Sequence, residues 1–163
     1  MGVDPGLVAT GFAVLEAAPG AVTVLDAGVI TTVATQSLEA RLDAIHRAVL
    51  EIIEARAPAF LVVEDLYAEY KFPRTAILMG HARGVIYLAA RQLGVAVTAL
   101  APSEVKRAVT GNGAAAKAQV QRSVQTLLGL PDLPRPSHVA DALGLAVTGL
   151  ARVTGITPKR VAR

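Results

Sequence analysis

Two ionisable residues lie one turn apart in an apolar stretch near the C-terminus, which reads SHVADAL over residues 137–143. The surrounding Ala, Val, Leu and Gly residues predict a buried helix. Residues three apart on a helix share a face, so His138 and Asp141 should point at one place. An ionisable group without a partner is costly in apolar surroundings, so a ligand is expected at that place.

Two further acids are expected at the ends of strands. In the segment GVDPG, Pro5 favours an extended backbone at Asp4, and Gly6 permits a sharp turn directly afterwards. The segment FLVVED is a continuous apolar run, typical of a buried strand, and Glu64 stands near its end. Ligands of α/β sheets bind beyond the carboxyl ends of strands, so these acids could converge with the helical pair.

A cluster of this kind repels itself unless cations fill it. Mg²⁺ and Mn²⁺ prefer carboxylate oxygens and water, and two such ions can hold the attacking and leaving oxygens of a phosphodiester. Each acid also has a simpler interpretation: Asp4 as a turn residue, Glu64 as a charge at a strand end, Asp141 as a solvated helix acid. That interpretation leaves the ionisable pair on an apolar helix unexplained.

Composition narrows the class of protein. The 163 residues contain no cysteine, and no Pro/Gly/Ser-rich linker divides them, which predicts one domain over residues 1–163. Apolar runs fall well short of a membrane span, and no basic segment followed by an apolar signal region begins the chain. We therefore expect a cytoplasmic protein that inserts into no membrane and binds any metal through carboxylate or imidazole.

The charge distribution favours a polyanionic partner. The net charge is +3 and the calculated pI is about 9.6. The cations fall into three groups: Lys71, Arg74 and Arg83; Lys106, Arg107, Lys117 and Arg122; and a basic tail from about residue 155 that contains Lys159, Arg160 and Arg163. For the tail alone, scattered surface charge is the favoured interpretation.

Hydrophobic periodicity and turn residues predict an α/β fold with a mixed sheet of five strands flanked by helices. The expected order is a first short strand, a hairpin through Pro19-Gly20, a helix capped by Ser37, strand 60–65, helix 75–93, strand 95–100, a helix from Pro102 to Gly111, helix 114–128, and a last helix capped by Ser137. The order places the four ionisable residues on three distant segments.

Five segments, in this order and at these separations, resemble the RuvC family of Holliday junction resolvases over nearly the whole chain. They are GVDPG, VVEDLY, GHARG, PSEVKRAVTGNGAAAKAQV and HVADAL. The resemblance implies a ribonuclease H-like fold, a homodimer, and paired nicks of like polarity across a four-way DNA junction. It further implies two Mg²⁺ or Mn²⁺ ions per active site, a bacterial cytoplasmic location, and the RuvA–RuvB branch-migration complex as a partner.

Carried over by position, the resemblance makes Asp4, Glu64 and Asp141 catalytic and metal-binding residues. The family's fourth position is often Asp and is His138 here, as in some members. The dipole at the start of a helix disfavours imidazolium, which predicts a neutral imidazole ready to bind metal. Nitrogen suits Mn²⁺ better than Mg²⁺, so a preference for Mn²⁺ is expected.

Aromatic and basic residues follow Glu64 in the segment YAEYKF. Aromatic rings there could stack on unpaired bases while Lys71 and Arg74 hold phosphates. Tyr67 aligns with the base-stacking position of the family, whereas Tyr70 and Phe72 are better explained as anchors of the next helix. We therefore expect Tyr67, Lys71 and Arg74 to contact DNA.

The segment GNGAAAK superficially suggests a nucleotide-binding loop. A Walker loop needs Gly before Lys117 and a hydroxyl residue after it, but Ala116 and Ala118 occupy these positions. The glycines are better suited to turn the chain so that Lys117 faces DNA, and Lys106 matches a second basic position of the family. Both lysines are predicted to contact phosphates, which positions DNA without reading its sequence.

Gly80 and Gly84 lie on one face of the predicted helix 75–93 and would let another backbone approach. Internal packing is one explanation, and a two-fold dimer with two active sites is the one that the resemblance favours. Two other functions stay open at this point. Nucleotide-binding domains of the actin and heat-shock ATPase type share the strand order but need a second domain, and a non-catalytic junction-binding module would not need four converging ligands.

Overall fold

A computed structural model describes residues 1–18, 21–66 and 73–155 of the chain. The strands in these ranges are β1 (Gly2–Asp4), β2 (Ala9–Ala18), β3 (Ala21–Thr31), β4 (Phe60–Glu64) and β5 (Ala96–Leu100). The helices are α1 (Leu38–Arg56), α2 (Pro73–Gln92), α3 (Pro102–Thr110), α4 (Lys117–Leu128) and α5 (Ser137–Thr154). The predicted element order is therefore confirmed.

The strands form one mixed sheet in the order β3-β2-β1-β4-β5. The central strand β1 runs antiparallel to β2 and parallel to β4, and β4 is parallel to β5. Strands β2 and β3 form the predicted hairpin, in which Ala18 pairs with Ala21. Because β1 is hydrogen-bonded to a strand on each side, Asp4 at its C-terminal end lies near the middle of the row of strand ends.

Helices cover both faces of the sheet, which explains why β4 is apolar without interruption. Leu61 and Val63 pack into a core formed with α1 and α2, where Ile45 and Ile86 are fully buried. Val62 points to the opposite face, against residues of α3 and α5. A strand buried on both faces has no solvent side, so the period-two alternation of polar residues disappears.

Helix α5 lies very close to the sheet. A Cβ added to Gly2 would stand 2.3 Å from the carbonyl oxygen of Ala142, and one added to Gly149 would stand 2.2 Å from Val62 Cγ2. Both distances are far below a van der Waals contact, so only glycine fits at these two positions. The most apolar helix is thereby buried along its length from Val139 to Leu150.

Some helix boundaries differ from the sequence-based expectation. Helix α4 begins at Lys117 rather than near 114, because the Asn112 side chain accepts a hydrogen bond from the Ala114 amide and holds a turn there. Ser137 is the first residue of α5, and the N-cap position belongs to Pro136, so the expected serine cap is wrong. Ser37 does occupy the N-cap of α1, without a side-chain capping hydrogen bond.

Several sequence-based predictions concern segments that the structure does not describe. The residues outside the described ranges include Tyr67, Tyr70, Lys71, Phe72, the Pro19-Gly20 turn and nearly all of the basic tail from about residue 155. Within the described ranges, no helix combines the length and the apolar character needed to cross a bilayer.

Candidate active site

Asp4 and Glu64 stand at the ends of neighbouring parallel strands. Val3 of β1 pairs with Val63 of β4, so the next residue of each strand carries its carboxylate to the same edge of the sheet. Asp4 is buried, and Glu64 is partly buried. The convergence expected from the strand order is therefore present.

The first turn of α5 brings His138 and Asp141 to the same edge. The imidazole Nδ1 of His138 lies 2.8 Å from Oδ2 of Asp4, a distance at which the ring N–H donates to the carboxylate. One ligand atom each from Asp4, His138 and Asp141 lies within 4.8 Å of the others. Residues from opposite ends of the chain thus form one potential metal site.

A glycine on β2 permits this approach. Gly11 pairs with Asp4 across β1 and β2, directly beneath the start of α5. A Cβ at Gly11 would stand 2.1 Å from the carbonyl oxygen of His138 and 3.1 Å from its Cβ. The first turn of α5 can therefore reach Asp4 only because residue 11 has no side chain.

The four ionisable residues line one cavity of about 790 Å³. Two cations share it: Lys106 from α3, and Lys117, whose Nζ lies 3.7 Å from Oδ2 of Asp141. Apolar residues complete the wall, among them Leu7, Val8, Leu78, Met79, Val105 and Leu145. The cavity thus combines a group of potential metal ligands with cations suited to phosphate.

Burial and mutual repulsion raise the pKa of two of the carboxyl groups, Glu64 and Asp141. Burial, followed by the negative charges of Asp4 and Asp141, raises the pKa of Glu64 to about 7, although Lys117 and Lys106 oppose the shift. Burial and the charge of Asp4 likewise raise the pKa of Asp141. Divalent cations would relieve this repulsion, and carboxylate oxygens with one imidazole are donors that Mg²⁺ and Mn²⁺ accept. The residues present therefore fit divalent metal ions.

The expectation for His138 is wrong in direction. The hydrogen bond to Asp4 raises the pKa of His138, and this effect outweighs the burial that lowers it. The charged ring is thus more stable here than in an ordinary histidine, whereas the helix dipole alone predicts the opposite shift. Because a metal binds the neutral ring, protons compete with metal at His138, which couples metal affinity to pH.

The raised pKa of Glu64 predicts a pH-dependent stability. Its ordinary pKa is 4.5 and its value here is about 7, so the folded chain binds more protons across this window and stability falls as pH rises through it. Glu64→Gln abolishes this loss. We expect the variant to melt roughly 10 °C above the unmodified protein at pH 8 without divalent cations, and at the same temperature near pH 4.5.

Calorimetry at the two pH values measures this difference. The exposed Glu16 on β2 supplies the matched control, Glu16→Gln, for which no pH-dependent difference is expected. Equal melting temperatures of Glu64→Gln and the unmodified protein at both pH values would contradict the burial of a charge at Glu64.

The predicted DNA contacts are only partly described. Arg74 is exposed in the first turn of α2, beside Thr75, which lines the cavity. No local feature of the sequence indicates the role of Gly11. Arg83, grouped by the sequence analysis with Lys71 and Arg74 as cations that favour a polyanionic partner, is paired with Asp65 at 3.1 Å. The one sequence feature that indicates this pair is the occurrence of two adjacent acids, Glu64 and Asp65, at the end of β4.

Comparison with known proteins agrees with this geometry. Residues 1–149 match the family model described as crossover junction endodeoxyribonuclease RuvC. The protein of that name from Moorella thermoacetica is 45% identical over 147 residues, which are 90% of this chain and 87% of that protein. The one from Rhodopirellula baltica is 43% identical over 149 residues, 91% of this chain and 84% of that protein.

Solved structures agree as well. RuvC from Thermus thermophilus in complex with a Holliday junction substrate superimposes with a TM-score of 0.84 at 36% identity, covering 90% of this chain and 89% of that one. The yeast mitochondrial Holliday junction resolvase Ydc2 shares the fold, with a TM-score of 0.61 at 11% identity. The expected ribonuclease H-like architecture is confirmed. The chain belongs to the RuvC family of crossover junction endodeoxyribonucleases.

Proposed function

We propose that this chain resolves four-way DNA junctions by hydrolysing one phosphodiester in each of two opposed strands. The observation that carries the proposal is the convergence of Asp4, Glu64, His138 and Asp141 in one cavity with two lysines, in a chain of the RuvC family. The named Thermus thermophilus relative was solved with a Holliday junction, which supports the same substrate here. Residues 1–163 would act as one nuclease domain.

The four proposed metal ligands and the two lysines would have different roles in the cavity. Asp4, Glu64, His138 and Asp141 would hold divalent metal ions, which supply Lewis acidity at the attacking and leaving oxygens when bound. Asp4 lies deepest, and its hydrogen bond to His138 orients the imidazole. The Lys117 ammonium, close to Asp141 and largely exposed, is placed to attract the scissile phosphate towards the acids.

The proposal is tested with a synthetic four-way junction labelled on one strand at a time. Cleavage should require Mn²⁺ or Mg²⁺, stop in EDTA, and give nicks at matching positions of opposed strands. A linear duplex of the same sequences is the control and should stay intact. Binding of the junction without any cleavage, under all metal conditions, would instead indicate the non-catalytic module.

Metal preference is expected to depend on His138. His138→Asp restores an all-carboxylate set, so it should shift the ratio of Mn²⁺-supported to Mg²⁺-supported cleavage towards Mg²⁺. His138→Ala should raise the concentration of either metal that gives half-maximal cleavage by at least about tenfold, because a ligand is lost. Metal titrations of single-turnover cleavage measure both effects.

A histidine outside the site provides the control for these titrations. His46 lies on α1 and hydrogen-bonds Gln92, away from the cavity, so His46→Ala should leave the metal titrations unchanged. Unaltered metal dependence of His138→Ala would show that residue 138 is no ligand.

The two cavity lysines are expected to contribute electrostatic affinity for the junction. Lys106→Ala and Lys117→Ala should each weaken binding and reduce the slope of log affinity against log salt by about 1, since each removes one phosphate contact. Binding is measured in EDTA from 50 to 200 mM salt. Arg47→Ala, which removes an exposed cation of α1, should leave the slope unchanged, and equal slopes for all variants would contradict the assignment.

We also propose a homodimer that uses the outer face of α2. Ile77 and Leu88 on that helix are 61% and 50% exposed. Gly84 lies between them, and a Cβ added there would meet nothing within 4 Å, so packing among the described residues does not explain this glycine. A two-fold partner on this face would give two active sites for the two opposed strands. Light scattering of the purified chain measures its mass directly.

The remaining assignments follow from family membership alone. A stacking role for Tyr67 and phosphate contacts for Lys71 and Arg74 stay predictions. We propose that the RuvA–RuvB branch-migration complex is the partner, that two ions act per site with Mn²⁺ preferred, and that the protein works in the bacterial cytoplasm, where its DNA substrate lies. The two named relatives come from bacteria.

A further inference from the structure

A small polar cluster lies behind the end of β4, with Arg83 of α2 at its centre. Nη2 of Arg83 donates to Oδ1 of Asp65 at 3.1 Å and to the hydroxyl of Tyr87 at 2.7 Å. The guanidinium carbon lies 4.8 Å from the centroid of the Tyr87 ring. Charged hydrogen bonds and a ring contact together hold this side chain in one orientation.

The cluster is tied to the main chain immediately after Glu64. Oδ1 of Asp65, which accepts from Arg83, also accepts from the amide of Leu66 at 2.9 Å. The Asp65 amide donates to the carbonyl of Leu100 at 2.8 Å, at the end of the β4–β5 ladder. Asp65 is thus held by β5 through its main chain and by α2 through its side chain.

Arg83 is poorly placed to bind DNA itself. Its side chain is 22% exposed, and its charge is already paired with Asp65. Its Nε is buried and has no hydrogen-bond partner within the described ranges. A phosphate contact would need the guanidinium to leave both of these partners. The position of Arg83 instead connects α2 to the segment between Glu64 and Tyr67.

We propose that Arg83 is a positioning residue for DNA cleavage: through Asp65 it fixes the main chain directly after Glu64, and with it the position of the Glu64 carboxylate. This inference rests on the proposed nuclease function. It predicts that the pair affects the rate of cleavage at saturating protein, while junction affinity is hardly changed. A displacement of about 1 Å at a reacting group can cost on the order of a hundredfold in rate.

The interaction between Arg83 and Asp65 is tested by substituting each residue. Arg83→Gln removes the charge, and Arg83→Lys keeps it. Asp65→Asn removes the charged acceptor but keeps an amide oxygen for Leu66, and because the Asp65 side chain is 50% exposed this variant should fold normally. Arg91→Gln, an exposed arginine in the last turn of the same helix, is the matched control. The double variant Arg83→Gln/Asp65→Asn completes the cycle.

Each variant is compared by junction affinity in EDTA, single-turnover cleavage at saturating protein and metal, and thermal unfolding. Arg83→Gln and Asp65→Asn should each slow cleavage about tenfold with affinity within about twofold, and the double variant should be no slower than the worse single variant. Arg83→Lys should cleave at a rate between those of Arg83→Gln and the unmodified protein. Arg91→Gln should cleave at the unmodified rate.

The inference would be overturned by a rate loss that follows the unfolded fraction at the assay temperature, by additive losses in the double variant, or by a loss of affinity like that of the lysine variants. Glu64→Gln is assayed in parallel to separate this inference from the function on which it rests. If Glu64→Gln cleaves, the proposed active site is wrong. If Glu64→Gln is inactive while Asp65→Asn cleaves at the normal rate, only the role of Arg83 is wrong.

Discussion

Glu64→Gln is expected to reduce single-turnover cleavage of a four-way junction by at least about a thousandfold, a loss of about 4 kcal/mol of transition-state stabilisation. The amide keeps the size of the side chain but loses the charge that would hold a divalent cation. Asp4→Asn and Asp141→Asn should behave alike, because all three carboxylates line one cavity. Removing one ligand should therefore disable the cluster as a unit.

These variants should retain their affinity for the four-way junction. A carboxylate near a phosphate repels it in the absence of metal, so affinity measured in EDTA should stay the same or rise slightly. Glu16→Gln, at an exposed position of β2, is the control for both measurements and should cleave normally. More than a few per cent of residual cleavage by Asp4→Asn at saturating Mn²⁺ would refute the assignment of the site.

Gly11→Ala is the second substitution with a large expected effect. The new methyl group would lie 2.1 Å from the carbonyl oxygen of His138, and backbone cannot rotate away as a side chain can. The first turn of α5 must therefore shift by about 1 Å or more, which breaks the hydrogen bond between His138 and Asp4. We expect cleavage to fall about a hundredfold and the melting temperature to drop by several degrees.

Gly28→Ala on β3 is the matched control. Its methyl group would meet the ring of Phe12 at 2.9 Å, and that ring can move, so a much smaller loss is expected. Circular dichroism before the cleavage assay establishes that Gly11→Ala is folded. A folded Gly11→Ala that cleaves at the normal rate would contradict the close approach of α5 to β2.

The sequence predicts most of the fold because each element carries a local signal. Strand β4 is apolar on both faces, Pro102 begins α3, and Gly111 ends it with a φ of 82°. The three catalytic candidates on two strand ends and one helix could likewise be proposed from position and residue type. These features depend on residues that are close together in the sequence, so the sequence alone predicts them.

Contacts between distant segments were not predictable in the same way. Gly11 pairs with Asp4 and lies directly beneath His138, so this contact joins three parts of the chain. A glycine in a β-prone run does not by itself indicate such a contact. The sequence groups Arg83 with cations that favour a polyanionic partner, because its partner Asp65 is eighteen residues away. The predicted direction of the pKa shift of His138 is wrong for the same reason, since the helix dipole is local and the hydrogen bond to Asp4 is not.

The hydrogen bond between His138 and Asp4 joins residues separated by 134 positions. During synthesis, β1 leaves the ribosome long before α5, and α5 supplies both His138 and Asp141. A nascent chain that still lacks α5 therefore carries Asp4 and Glu64 without the other two proposed ligands and without a helix that packs against the sheet. We expect the proposed cleavage activity to be absent until α5 has been synthesised and has packed on the sheet.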